Sequence, residues 1–314
     1  MCLPFVAVVL CVVTSVAASA PTAGHPPVVE ARAIAAHLWR KRDLFTTSEH
    51  AILRCNEHLG PPRFRLAYMP CRNRGEILRL CLEEARCSYE LEVVGFEAWR
   101  SAVKASTPHG KLPCLRDYDG RGTDLCQEGA ITRFLAASLG LAGRTPAEQA
   151  EVDSLYCLWF ATLRNQGVSH DGEHYSVAAL RDCVPEEVAA VPPYEKIFRQ
   201  NSYSRAERSL AALRFFEAAL ERSGTGFLVG DAPTYVDLGL FYVLYELGED
   251  DNVPDWPSRF ELPRLGAFVD SMAARPHLAD YLASPRRMPR YERDRSGSSL
   301  YTYVAGRLSP EIVE

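Results

Sequence analysis

From residue 63 onward the chain sets hydrophobic and polar positions in a regular order. Phe64, Leu66 and Tyr68 alternate with Arg63, Arg65 and Ala67, and that period of two predicts a strand. Ile77, Leu80 and Cys81 then recur at i, i+3 and i+4, which predicts a helix over about 74–85. Tyr89, Leu91 and Val93 alternate with Glu90 and Glu92 in a second strand. A polar, irregular stretch follows over 95–109. A short third strand is expected at 112–115, and the Asp119-Gly120 turn leads into a fourth near 123–125. Ile131, Phe134 and Leu135 mark a further helix, which Gly140 ends.

After 143 the strand pattern disappears. Residues 148–164 read as a long helix. Residues 166–193 read as a loop, punctuated by Gly167, Gly172, Pro185, Pro192 and Pro193. Residues 203–222 carry Leu210, Leu213, Phe216 and Leu220 on one helical stripe. Thr234 and Asp237 have the spacing of a capping box before an apolar helix over 238–247. Two short helices are expected at 265–272 and 277–283, then a polar tail from Arg290. The order β-α-β-loop-β-β-α is that of a thioredoxin-like domain, a mixed four-stranded sheet with helices on both faces. The unit behind it is all-α.

Upstream, 21–62 reads as an extension. Pro21, Pro26 and Pro27 break its start, 30–55 is expected to hold one or two short helices, and Gly60-Pro61-Pro62 ends it. Residues 3–20 carry no charge and finish in Ala18-Ser19-Ala20, an Ala-x-Ala cleavage pattern, so 1–20 reads as a secretory signal peptide. No Lys or Arg precedes that apolar run. The expected organisation is a signal peptide at 1–20, an extension at 21–62, a thioredoxin-like domain at 63–141, a helical domain at 142–289 and a polar tail at 290–314. The leader implies a secreted protein, or an endomembrane or organelle protein routed through the secretory path, with no stable membrane span once it is removed.

Composition narrows the classes. Hydrophobic residues make up 47% of the 314 positions, too many for bulk disorder. The net charge is −5, which supplies no positive field for nucleic acid. Ten cysteines are present. Outside the leader none forms a C-x-x-C pair and several fall on apolar faces of expected helices or strands, so buried thiols are the expected state, although a secretory route permits bridges.

The residues with chemistry gather in the thioredoxin-like unit. Tyr68 ends the first strand just before a helix, whose N-terminus favours anions. A phenol there can donate to a thiolate and lower the thiol's pKa. Arg72 and Arg74 add positive field. Alone, Tyr68 reads as a core tyrosine at a strand end. Lys111-Leu112-Pro113 puts an X-Pro bond ahead of a strand, where a cis bond would turn the Leu112 backbone outward to pair with an extended peptide. Gln127 and Glu128 open a helix whose free N–H groups can hold a small ligand's carboxylate. They equally make an ordinary acidic first turn. Trp99 and Lys104 lie in the irregular stretch.

Taken in order, these motifs resemble the cytosolic glutathione transferase family, nearest its sigma-like class, over about 63–289. The resemblance implies a thioredoxin-like domain followed by a helical domain, a homodimer, glutathione as co-substrate and a small hydrophobic electrophile as acceptor. It casts Tyr68 as the catalytic tyrosine. It casts Arg74, Trp99, Lys104, Lys111, Leu112 and Gln127 as glutathione-holding positions, with Pro113 as the cis-proline. Glu128 stands where the family usually has Ser beside the γ-glutamyl carboxylate; it would repel that group unless protonated, turned away or paired. Trp159 and Phe160 stand where related sigma enzymes carry acidic residues. Met69, Tyr156, Trp159 and Leu163 are the acceptor-site candidates that the resemblance implies.

Other readings have their own residues. Glu128 motivates a non-catalytic glutathione-binding or structural protein on the same fold. A sigma-like resemblance also permits a glutathione-dependent isomerase. Cys71, ahead of a helix, suggests thiol transfer. His170-Asp-Gly-Glu173-His174 fits H-x-x-E-H, but Gly167, Asp171 and Gly172 argue for a loop rather than the helix that zinc chemistry needs, so no metal is expected.

Overall fold

The computed structural model describes residues 28–29, 50–164, 180, 205–249, 253, 255–284 and 286–288. The leader, the H-x-x-E-H segment, Cys183 and the polar tail lie outside them, as does all of the 166–193 loop except Leu180. The strands are β1 (Val28–Val29), β2 (His50–Cys55), β3 (Phe64–Tyr68), β4 (Tyr89–Val94), β5 (Cys114–Arg116) and β6 (Leu125–Cys126), in one sheet of order β1-β2-β4-β3-β5-β6. β3 and β4 run parallel; β5 is antiparallel to β3, and β6 to β5.

Four of these strands are the expected ones. Of the other two, both in the extension, β2 is a correction. The 30–55 segment was expected to be helical, yet His50–Cys55 is a strand, antiparallel to β4 along its whole length. The pairings Leu53–Leu91–Leu66–Leu115–Leu125 place five leucines in one row across five strands. Leu53, Leu66, Leu91 and Leu115 in that row are buried in the main core, and Leu125 packs against it. The opposite face carries Arg54, Arg65 and Arg116 against Glu90 and Glu92.

The helices of the first unit are α1 (Asn73–Glu84), α2 (Phe96–Ser101) and α3 (Glu128–Leu139). α2 and a 3-10 turn at Val103–Ser106 occupy the stretch expected to be irregular. Gly140 ends α3 with φ +76°, a left-handed conformation suited to glycine. The second unit holds α4 (Pro146–Trp159), continued by a π-helical segment Phe160–Arg164, then α5 (Arg205–Ser223), α6 (Tyr235–Gly248), α7 (Trp256–Arg259), α8 (Pro263–Ala273) and α9 (Pro276–Ala283). This is a thioredoxin-like domain followed by an all-helical one.

The two units meet around α1, in which every residue but Arg74 is buried. Its apolar positions face the sheet and α6. Three of its carboxylates are met from across the domain boundary, Glu83 by Arg286, Glu84 by Arg275 and Glu76 by the Tyr281 hydroxyl, and Glu76 also pairs with Arg79 within the helix. Burying so many carboxylates is tolerable only because each meets a guanidinium. At the start of α6, Asp237 accepts from the Leu228 N–H, the Thr234 N–H and the Thr234 hydroxyl at 2.7–2.8 Å. The capping spacing thus also ties α6 to the loop before it.

Candidate active site

Register brings the sequence candidates to one end of the sheet. Tyr68 is the last residue of β3 and pairs with Val93; Ala67 pairs with Cys114, and Cys114 with Cys126. Met69, Pro113 and Gln127 each adjoin one of these paired strand ends. The Leu112–Pro113 bond is cis, as the motif predicts. Met69 and Leu112 pack on a small apolar cluster of Val94, Ala98, Trp99 and Val103. Lys104 and Lys111 are exposed, as is Gln127. The Lys111 carbonyl accepts from the Cys126 thiol at 3.5 Å, tying the cis-proline loop to the strand that leads into α3.

Tyr68 has a side of its ring against α1. A Cβ built on Gly75 would lie 2.5 Å from the ring, so only glycine lets the helix come this close. The phenol oxygen accepts the Arg74 N–H at 3.1 Å. Accepting there leaves the hydroxyl hydrogen for another partner. Burial raises the hydroxyl's pKa well above the ordinary tyrosine range, so at neutral pH the group is a neutral O–H donor and no base. Nothing in the sequence marks Gly75 as a site residue, because a glycine in the first turn of a helix carries no signature of the ring it accommodates.

Glu128 is buried and does not lie unpaired at the start of α3. Arg164, at the end of the π segment, donates from Nε and Nη2 to its two oxygens at 2.9 and 3.0 Å. Arg74 adds a longer contact at 3.4 Å, and Arg164 also donates to the side-chain Oδ1 of Asn73 at 3.3 Å. Pairing with a cation, one of the conditions named for a carboxylate at this position, is therefore met. Nothing in the sequence ties Arg164 to Glu128, because they are 36 positions apart in different domains.

Other candidates fall elsewhere. Tyr156, Trp159 and Leu163 lie in the main core, each with at most 1% of its surface exposed, so they line no open acceptor face here. The apolar faces of two crossing helices account for them: a Cβ on Gly239 of α6 would come within 3.1 Å of the Trp159 ring. Cys71 is also buried, and burial pushes its thiol up to about 12, which removes the thiolate that thiol transfer requires. Among the described residues the cysteines are free thiols, and Cys157 is the exposed one. No metal-binding group of His, Cys, Asp and Glu occurs among them, nor does a helix long and apolar enough to cross a membrane.

Known proteins place this arrangement. The family described as "Glutathione S-transferase, C-terminal domain" matches residues 192–285. "Glutathione S-transferase P" of Bos taurus is 30% identical over 230 residues, covering 73% of this chain and 96% of the relative. "Glutathione S-transferase 1" of Ascaris suum is 29% identical, covering 73% and 99%. The crystal structure of the glutathione S-transferase from Ascaris lumbricoides superposes with a TM-score of 0.52 at 28% identity, covering 71% of this chain and 100% of that one. Likeness over nearly the full length of these relatives, on the fold just described, shows that the chain belongs to the glutathione S-transferase family.

Proposed function

We propose that the protein is a glutathione transferase in which Tyr68 donates a hydrogen bond to the glutathione sulfur. It is an enzyme with glutathione as its co-substrate, as the names of its relatives support. The observation that carries the Tyr68 role is the phenol itself: neutral, oriented by the Arg74 N–H and seated on Gly75 at the end of β3. A neutral O–H donor favours the thiolate over the thiol, and each unit by which it lowers the thiol pKa is worth about 1.4 kcal/mol. The thiol proton passes to solvent, and the thiolate then attacks a small hydrophobic electrophile, forming a carbon–sulfur bond as the leaving group departs with its electron pair.

In this reading the tripeptide lies along the cis-proline edge, with its backbone against Leu112 and Pro113. Trp99, Lys104 and Lys111 flank it. Gln127, the start of α3 and Arg74 hold its γ-glutamyl end. Helix N-terminal N–H groups suit a carboxylate there. Homodimeric assembly, the sigma-like class and passage through the secretory route belong to the same proposal. They rest on the motif resemblance and on the 3–20 leader.

The test is Tyr68→Phe in the full chain, assayed with glutathione and a generic aromatic halide. Losing one hydrogen bond to a charged sulfur is expected to cost about 1.5–3 kcal/mol, a fall in kcat of roughly 10- to 100-fold. Glutathione affinity should stay within a few-fold. Unchanged turnover would remove Tyr68 from the mechanism.

A further inference from the structure

The family position beside the γ-glutamyl carboxylate is occupied here by Glu128, a group of the same charge as the ligand it would meet. We propose that Arg164 is the positioning residue that makes this tolerable: it draws the Glu128 carboxylate inward, away from the glutathione seat. The inference deepens the glutathione reading and rests on it.

The geometry carries the argument. In α3 the Ile131 N–H makes the 3.0 Å bond to the Gln127 carbonyl, so the N–H groups before it have no partner inside the helix. These groups form the seat. The Glu128 side chain leaves it and runs to Arg164, which grips both oxygens in a forked pair. The Arg164 side chain is 0% exposed and that of Glu128 2%. Arg74 contacts the same carboxylate only at 3.4 Å and keeps 27% of its side chain exposed. Two guanidinium groups therefore face this carboxylate, and Arg74 is the one that keeps part of its side chain exposed. Tyr68 borders this group from the sheet and Tyr156 from α4, and neither brings a charge of its own.

Remove the Arg164 charge and the balance changes. Glu128 then has Arg74 as the remaining cation of the two, and Arg74 is drawn to this carboxylate instead of to the ligand's. Because Arg164 ends the first long helix of the helical domain, packing in that domain sets glutathione affinity in the other. The reacting sulfur is served by Tyr68, which this change leaves in place, so the effect falls on binding rather than on turnover at saturation.

The experiment uses the full chain and S-methylglutathione, which cannot react, as the probe in calorimetric titrations at neutral pH. Steady-state kinetics with glutathione and a generic aromatic halide run beside it. Arg164→Gln should weaken binding and raise KM for glutathione by about tenfold or more, with kcat within about threefold. The double variant R164Q/E128Q, which removes both charges, should recover affinity to within about threefold of the starting protein. Arg164→Lys keeps the charge but not the fork and should show an intermediate loss; it serves if R164Q does not fold. Equal affinity in R164Q or R164K, or a folded double variant that recovers nothing, overturns the positioning role. A starting protein that does not bind S-methylglutathione at all overturns the glutathione reading, and this inference with it. Binding that is indifferent to Arg164 overturns this inference alone.

Discussion

Replacing Leu53 by Ala tests whether the segment before the thioredoxin-like domain is part of its sheet. Leu53 has 0% exposure and sits in β2 directly opposite Leu91, at the end of the five-leucine row. Truncating a fully buried leucine removes its transfer free energy and leaves a cavity, together about 2–5 kcal/mol. A backbone ladder pairs all six residues of β2 with β4, so the site cannot collapse freely onto the gap. A value near 3 kcal/mol is therefore expected. For a protein of this size that corresponds to a fall in melting temperature of roughly 6–12 °C. Arg54→Ala is the control: Arg54, next to Leu53 in the same strand, is itself half exposed, at 50%, and its ion pairs are long, at 3.6 and 3.8 Å, so losing them should cost about 0–1 kcal/mol. Thermal unfolding of the two variants, followed by circular dichroism, provides the comparison. If Leu53→Ala melts within about 1 °C of Arg54→Ala, β2 does not pack on the sheet and the extension is dispensable. If the larger drop is found, a protein shortened to begin at residue 60 will lose the cover of β4, and activity measured on it will understate the enzyme.

Three further outcomes follow from particular contacts. Gly75→Ala places a methyl against the Tyr68 ring, and conjugation should fall about tenfold or more while the far-UV spectrum is kept; full activity would show that the ring shifts without consequence. Asp237 has its pKa raised to about 6, because burial outweighs the hydrogen bonds from Leu228 and Thr234. A carboxyl whose pKa is higher folded than unfolded stabilises the fold below about pH 4, and that contribution is lost as pH rises through about 6. The stability of the native protein relative to Asp237→Asn should therefore grow as pH falls from 7 to 4, by about 3 kcal/mol at most, and denaturant titrations at the two pH values would show it. Glu92 behaves in the opposite sense: burial works against its charge, but hydrogen bonds from His50 and Arg116 hold its pKa down to about 2. Its stabilising contribution is present above about pH 4.5 and lost below, and Glu92→Gln should remove that acid-side loss in the same titrations.

Much of this molecule is written locally. The period-two run at 64–68, the helical spacing of Ile77, Leu80 and Cys81, the Gly140 stop and the Thr234–Asp237 spacing each depend on residues within a turn or two of one another. Short-range patterns of this kind announce themselves before any fold exists. The order of elements, and with it the thioredoxin-like plus helical architecture, follows from them. So does the cis Leu112–Pro113 bond, which the motif anticipates.

Contacts made across long stretches of chain are another matter. His50–Cys55 carries alternation too weak to stand apart from a helix, and it became a strand because β4 offers an open edge and Leu91 a partner for Leu53. The face of α1 that bears Glu76, Arg79, Glu83 and Glu84 looks solvated in the sequence; it is buried because the second domain brings Arg275, Arg286 and Tyr281 to meet it. Trp159 and Leu163 carry no mark that separates a pocket wall from a core, and the close crossing of α6 at Gly239 made them core. Local patterning reveals which face of an element is apolar, but the partner that satisfies a charge or fills a groove is chosen only when distant segments pack together. Glu128 shows the division most clearly: the chain displays a carboxylate at the start of a helix, and tertiary folding alone supplies the arginine that turns it inward.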